Sequence, residues 1–141
     1  MNPISQTELE EGEKLTLDFT KIAKTLESCG PIIPVAVQNV ETMEVILIAY
    51  TNQTAFDQTI QTGIATFWST TRNELWIKGK TSGNTFKIIE ILVNCEQNSL
   101  VYKVQANAEG ICHTYNRAGI ARNCYYRKLN TGDLTLENID P

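Results

Sequence analysis

Residues 110–129, GICHTYNRAGIARNCYYRKL, concentrate the reactive side chains of this 141-residue chain. They hold its only histidine, His113, two of its four cysteines, Cys112 and Cys124, and four of its twelve lysines and arginines. A third cysteine, Cys95, lies upstream. Thiolate and imidazole are ligands that zinc takes readily, and three protein ligands leave a fourth position for water. Zinc lowers the pKa of bound water to about 7, giving a nucleophile for hydrolysis without a strong base. No C-x-x-C pair is present, so spacing alone supports zinc only in part. Any one cysteine could equally be an inert core thiol, and Cys29, within SCGP, reads as structural.

His113 need not be a ligand. In an extended chain Cys112 and His113 point to opposite sides, which leaves the imidazole as a general acid or base working near neutrality. A lone histidine is more often a satisfied surface or core group; the adjoining cysteine and the nearby bases favour chemistry here. NCEQN at 94–98 sets Asn94, Glu96 and Asn98 on one side of a strand end and Cys95 on the other. Oxygen-bearing side chains at every second position can converge on Mg²⁺. With one carboxylate among the three the attraction is weak, and a polar hairpin turn is the competing reading. FWSTTRNELWIKGKTSGN at 67–84 carries Trp68, Trp76, Arg72, Lys78 and Lys80. Backbone N–H groups of TSGN, with Ser82 and Gly83, could hold a phosphate beside a lysine, and an indole could stack on a base. Core tryptophans with surface lysines are the plain alternative.

The elements that must position these groups are short. Residues 1–15 are polar and read as loose. Leu15, Phe19, Ile22, Ala23 and Leu26 recur at helical spacing, and Gly30 with Pro31 stops the pattern. IIPVAVQ and EVILIAY, rich in β-branched residues and separated by a turn, read as a strand pair. NQTAFDQTIQTG reads as a helix capped by Asn52 or Thr54, with Phe56 and Ile60 on one face and Gly63 past its end. ATFWST, ELWIKG, TFKIIEILVNC, SLVYKVQA and CYYRKL follow as strands. The expected fold is α+β and β-rich, a small mixed or antiparallel barrel-like sheet with two short helices.

Composition bounds the rest. With 42% hydrophobic and 20% charged residues the chain is an ordinary globular protein, long enough for one real core. Its apolar runs are too short to span a bilayer. The acidic, polar N-terminus does not read as a secretory signal. Both point to the cytoplasm, where thiols stay reduced. The net charge of −4 hides an asymmetry: residues 72–130 carry nine bases against four acids, residues 1–71 three against nine. A basic half on an acidic protein suits a small phosphorylated ligand better than duplex nucleic acid.

Taken in order, these segments resemble the phosphoribosyl-AMP cyclohydrolases of histidine biosynthesis, over residues 32–129. The resemblance rests on FWSTTRNELWIKGKTSGN, on CHT at 112–114 and on CYYR at 124–127. It implies hydrolytic opening of the adenine ring of phosphoribosyl-AMP between N1 and C6, by an intertwined homodimer with zinc at its interface. Cys95 of one subunit and Cys112 and Cys124 of the other would hold the metal. Zinc-activated hydroxide would attack C6 while His113, matching the family's catalytic histidine, shuttles a proton. Arg72, Lys78, Ser82 and Gly83 would hold phosphates and Trp68 would line the pocket. The chain then divides into an N-terminal extension and helix (1–30), a catalytic domain (31–130) and an acidic tail (131–141). Two departures stand out. The family's D-C-D-x-D, three aspartates that bind Mg²⁺, is here NCEQN, which weakens that site and leaves the need for Mg²⁺ open. The eleven residues between Cys112 and Cys124 exceed the family's usual spacing. A paralogue acting on another purine nucleotide, or a non-catalytic zinc- or nucleotide-binding protein, are the alternatives.

Overall fold

Apolar residues at every second position build the centre of the molecule. The computed structural model describes residues 4–79, 83–106 and 110–141. Among these residues the elements run α1 (Gln6–Glu11), α2 (Lys21–Cys29), β1 (Ile33–Asn39), β2 (Val45–Thr51), α3 (Gln53–Thr62), β3 (Phe67–Ser69), β4 (Glu74–Trp76), β5 (Lys87–Val93), β6 (Leu100–Gln105), β7 (Arg127–Leu129) and β8 (Leu136–Asn138). Val35 and Val37 of β1 and Leu100, Tyr102 and Val104 of β6 turn to one face and are buried, as strand periodicity requires. Ile46, Leu47, Ala49, Ala65, Phe67 and Phe86 complete the core. The Phe67 ring stands 5.4 Å from that of Trp76 and 6.0 Å from that of Tyr102.

The main sheet has four strands in the order β2-β1-β6-β5. Two antiparallel hairpins, β1–β2 and β5–β6, are joined through a parallel β1–β6 pair in which Val35 lies opposite Leu100. β3–β4 and β7–β8 form separate two-stranded ribbons. The architecture is therefore the expected β-rich α+β mixture, but among the described residues the sheet is open rather than closed into a barrel. Its edges are β2 and β5.

The helices follow their caps. Asn52 begins α3 by accepting from the Ala55 N–H at 2.9 Å, and Gly63 ends it in the left-handed conformation, its N–H donating to the Thr59 carbonyl. Its buried residues are Ala55 and Thr59; of the two apolar residues expected on one face, Phe56 packs partly buried against the core and Ile60 is exposed. α2 starts at Lys21, later than the apolar spacing suggests, because Asp18 folds the chain into a turn first. The Asp18 carboxylate accepts from the N–H groups of Thr20 and Lys21 and from the Thr20 hydroxyl, which hold it below the usual carboxylate range. The larger surprise is α1. A segment expected to be loose is a helix capped by Ser5, and a third helix accordingly joins the two that were expected. No helix among the described residues is long and apolar enough to cross a membrane.

Candidate functional site

A tight loop brings the two cysteines of 110–129 together. The N–H groups of Gly110 and Cys112 donate to the carbonyls of Ala121 and Arg122, and the Arg122 N–H returns to the Thr114 carbonyl. Asn116 shapes the tip by accepting from the N–H groups of Ala118 and Ile120. Gly110 is obligatory at the base, since a Cβ there would fall 2.3 Å from the Arg122 carbonyl. The Cys124 N–H anchors the loop's end to β2 through the Ile46 carbonyl at 3.0 Å. As a result Cys124 lies close enough to feel Cys112: desolvation first, then Cys112, pushes the Cys124 thiol up to about 11. Cys112 Sγ also lies 3.1 Å from the Thr114 hydroxyl. Two adjoining thiols are a soft donor pair suited to zinc, which would have to displace their protons.

Next to Cys112 in the chain, His113 presents an exposed ring. Its Nε2 meets Glu10 Oε1 of α1 at 2.8 Å. The hydrogen bond from His113, followed by one from Gln6, lowers the Glu10 pKa below its ordinary value. α1 is held in place by the same segment: Arg122 Nη1 reaches Glu11 Oε1 at 2.6 Å, the Tyr126 hydroxyl donates to the Glu10 carbonyl at 2.6 Å, and Arg127 donates to the carbonyls of Leu9 and Gly12. Arg122 is buried, only 4% exposed, and its guanidinium stacks 4.6 Å from the Tyr126 ring centre. Its pKa is raised chiefly by the Glu11 hydrogen bond.

Cys95 is exposed in the β5–β6 turn. Among the described residues no three His, Cys, Asp or Glu side chains come together as a metal cluster, so a single chain supplies the thiol pair without a third ligand. Around Cys95 the turn closes on itself. Asn94 Oδ1 accepts from the N–H groups of Asn98 and Ser99, Asn94 Nδ2 donates to Asn98 Oδ1 at 2.6 Å, and Asn98 Nδ2 reaches Glu96 Oε2 at 3.5 Å. Amides that satisfy one another in this way, with a single carboxylate, fit a hydrogen-bonded turn and are a poor match to Mg²⁺.

The β3–β4 ribbon arranges the remaining candidates. Trp68 Nε1 donates to Asn73 Oδ1 at 2.9 Å, and Asn73 takes the left-handed conformation, φ 53°, at the turn. Arg72 pairs with Glu74 at 3.4 Å on the surface. Lys78 donates to the Asn84 carbonyl at 2.9 Å and lies over the Phe86 ring. Gly79, with φ 74°, allows the chain to return so closely that a Cβ would meet the Asn84 carbonyl oxygen at 2.3 Å. The Gly83 N–H closes that return onto the Gly79 carbonyl at 2.8 Å. Ser82, expected to bind phosphate, lies outside the described residues. Glu10 and Gly79 are the residues that sequence reasoning missed. Gly79 was signalled by its place in WIKGKTSG, whereas nothing near Glu10 in sequence points to His113.

The motifs and the fold meet in the comparison with known proteins. The phosphoribosyl-AMP cyclohydrolase family model matches residues 47–126. This chain belongs to the phosphoribosyl-AMP cyclohydrolase family. Proteins of that name from Desulfotalea psychrophila, Erythrobacter litoralis and Cenarchaeum symbiosum are 37%, 40% and 42% identical to it. These alignments cover 79%, 95% and 73% of this chain and 84%, 96% and 90% of the relatives. The span matched by the cyclohydrolase model takes in Cys95, Cys112, His113, Cys124 and the whole of 67–84. It leaves α1, and so Glu10, outside.

Proposed function

We propose that this chain is a hydrolase of histidine biosynthesis that opens the adenine ring of phosphoribosyl-AMP between N1 and C6. The observation that carries the reading is that Cys112 and Cys124 are brought near each other, with an exposed His113 next to Cys112 in the chain, in a member of this family. Cys112 and Cys124 of one subunit and Cys95 of another would hold zinc. Once bound, zinc would supply the Lewis acidity that makes water nucleophilic at neutral pH.

The residues of the chain do the rest. Water adding to C6 must lose a proton, and N1 must gain one as the N1–C6 bond breaks; His113 carries that transfer. Trp68 lines the pocket, and Arg72, Lys78, Ser82 and Gly83 hold the phosphates. Bases next to polar backbone suit a doubly phosphorylated substrate. Free thiols suit a cytoplasmic setting.

Two features support a homodimer. The thiol pair has no third ligand from its own chain among the described residues. Phe19, Ile22 and Leu26 are exposed, Phe19 to 86%, and Ile22 and Leu26 border an apolar groove that continues over Ile48 of β2. Area of that kind is stabilised by burial.

The test is the absorbance change when phosphoribosyl-AMP is added to zinc-loaded protein, with and without Mg²⁺. Ring opening without Mg²⁺ is expected, given the closed amide turn at Asn94 and Asn98. No turnover in either condition, from dimeric protein with zinc bound, would overturn the assignment. It would favour the second reading, a paralogue acting on another purine nucleotide, to which the altered NCEQN turn and the long 112–124 loop already point.

A further inference from the structure

α1 and its C-cap Gly12 are pinned at four consecutive residues by side chains of the segment that carries the thiols. Arg127 holds the Leu9 and Gly12 carbonyls, Tyr126 the Glu10 carbonyl and Arg122 the Glu11 carboxylate. Between those anchors the Glu10 side chain is largely covered, 19% exposed, while the His113 ring it meets is 76% exposed. Gln6 donates to the same Glu10 oxygen, so the carboxylate is oriented from its own helix as well. An isolated surface ion pair holds little. Here one partner is fixed by its backbone on both sides, and the other has no further hydrogen bond to its ring among the described residues. A carboxylate only accepts, so the nitrogen it meets must be the protonated one.

We propose that Glu10 is the positioning residue for His113, fixing the ring as its Nε2–H tautomer so that the Nδ1 lone pair faces the reacting atoms. This rests on the role given to His113 above. The N-terminal helix then belongs to the working site, although it lies outside the span that the family model matches. The logic is that of any histidine whose second nitrogen is held by a carboxylate: the partner selects the tautomer and the ring angle. Acting through His113, Glu10 should affect turnover rather than substrate affinity.

The experiment combines kinetics with nitrogen-15 NMR of the imidazole, which is free of overlap because His113 is the chain's only histidine. Glu10→Ala is expected to lower kcat on the order of 10- to 100-fold with KM nearly unchanged. Its ring signals should move from the Nε2–H form toward a mixture of tautomers. Glu10→Gln, which keeps an oxygen acceptor, should recover most of both. Glu11→Gln, which weakens the Arg122 contact but leaves His113 alone, should keep kcat. An equal loss in Glu11→Gln would make α1 a structural strap only and overturn the proposal. So would unchanged kcat or unchanged ring signals in Glu10→Ala while His113→Ala is inactive. If His113→Ala itself turns over normally, the catalytic reading of His113 falls, and Glu10's part falls with it.

Discussion

The main sheet and the 110–129 segment are held together in opposite ways. In the sheet, side chains of β1, β2 and β6 interlock on one buried face, and two local hairpin ladders are joined by one long-range parallel seam. The 110–129 segment has few buried apolar groups. It is fastened by arginines, a tyrosine hydroxyl and amides to residues about a hundred positions away, in α1, and to the C-terminal Asp140. The sheet therefore gives the molecule its stability, whereas the polar fastenings give the reactive loop its shape. A fold built this way can lose its site's geometry without losing its core.

Substitutions can break that contrast in order of size. Phe67→Ala, at a fully buried ring touching Trp76 and Tyr102, should cost about 3–5 kcal/mol and lower the denaturation midpoint of the whole domain. Arg122→Ala removes the Glu11 contact, the bond to the Asp140 carbonyl and the stacking on Tyr126. Because Glu11 can then turn to water, the loss should be about 2–3 kcal/mol. It should register as faster amide exchange in α1 and 110–124, with the sheet amides unaffected. A uniform loss of protection would mean that the two regions are one cooperative unit.

Among the fastenings, acid should act on the Glu10–His113 contact. The folded Glu10 carboxyl lies below its ordinary value, chiefly through the His113 hydrogen bond. Its contribution is complete above the ordinary carboxylate value and is lost as pH falls through the lowered folded one. Amide exchange in α1 should therefore quicken in that acid window before the sheet responds. The smallest effect is expected at Tyr102. Its buried hydroxyl lies near Thr51 and Thr59, but those hydroxyls bond to carbonyls of their own neighbourhood and leave it no well-formed partner among the described residues. Tyr102→Phe should leave the melting temperature nearly unchanged or raise it slightly.

The same contrast separates what was legible from what was not. The strand pairs and α3 were readable because their signals are local: alternation in VAV and LVYKV, the Asn52 cap and the Gly63 stop. The thiol pair could be suspected from residue types and, with the family motifs, expected. α1 was hidden because its partners Arg122, Tyr126 and Arg127 lie at the other end of the chain, and QTELEE alone buries nothing. β8 was hidden for a similar reason, since TLENI becomes a strand only by pairing with β7. On α3, Phe56 of the expected apolar face packs against the core while Ile60 stays exposed, and Ala55 and Thr59 are the buried residues. In NCEQN the side chains that could face a cation are paired with one another in the turn.

The parallel seam between β1 and β6 bears on how the chain is made. β1 can zip to β2 as soon as both have left the ribosome, but its other edge has no partner until residues 100–105 emerge. At about 5–20 residues per second, that edge stays open for several seconds, with Val35 and Val37 uncovered beside it. An open, apolar strand edge is a template for pairing with the wrong chain. Synthesis of this protein thus includes an interval in which the first hairpin needs shelter, and β6 ends it.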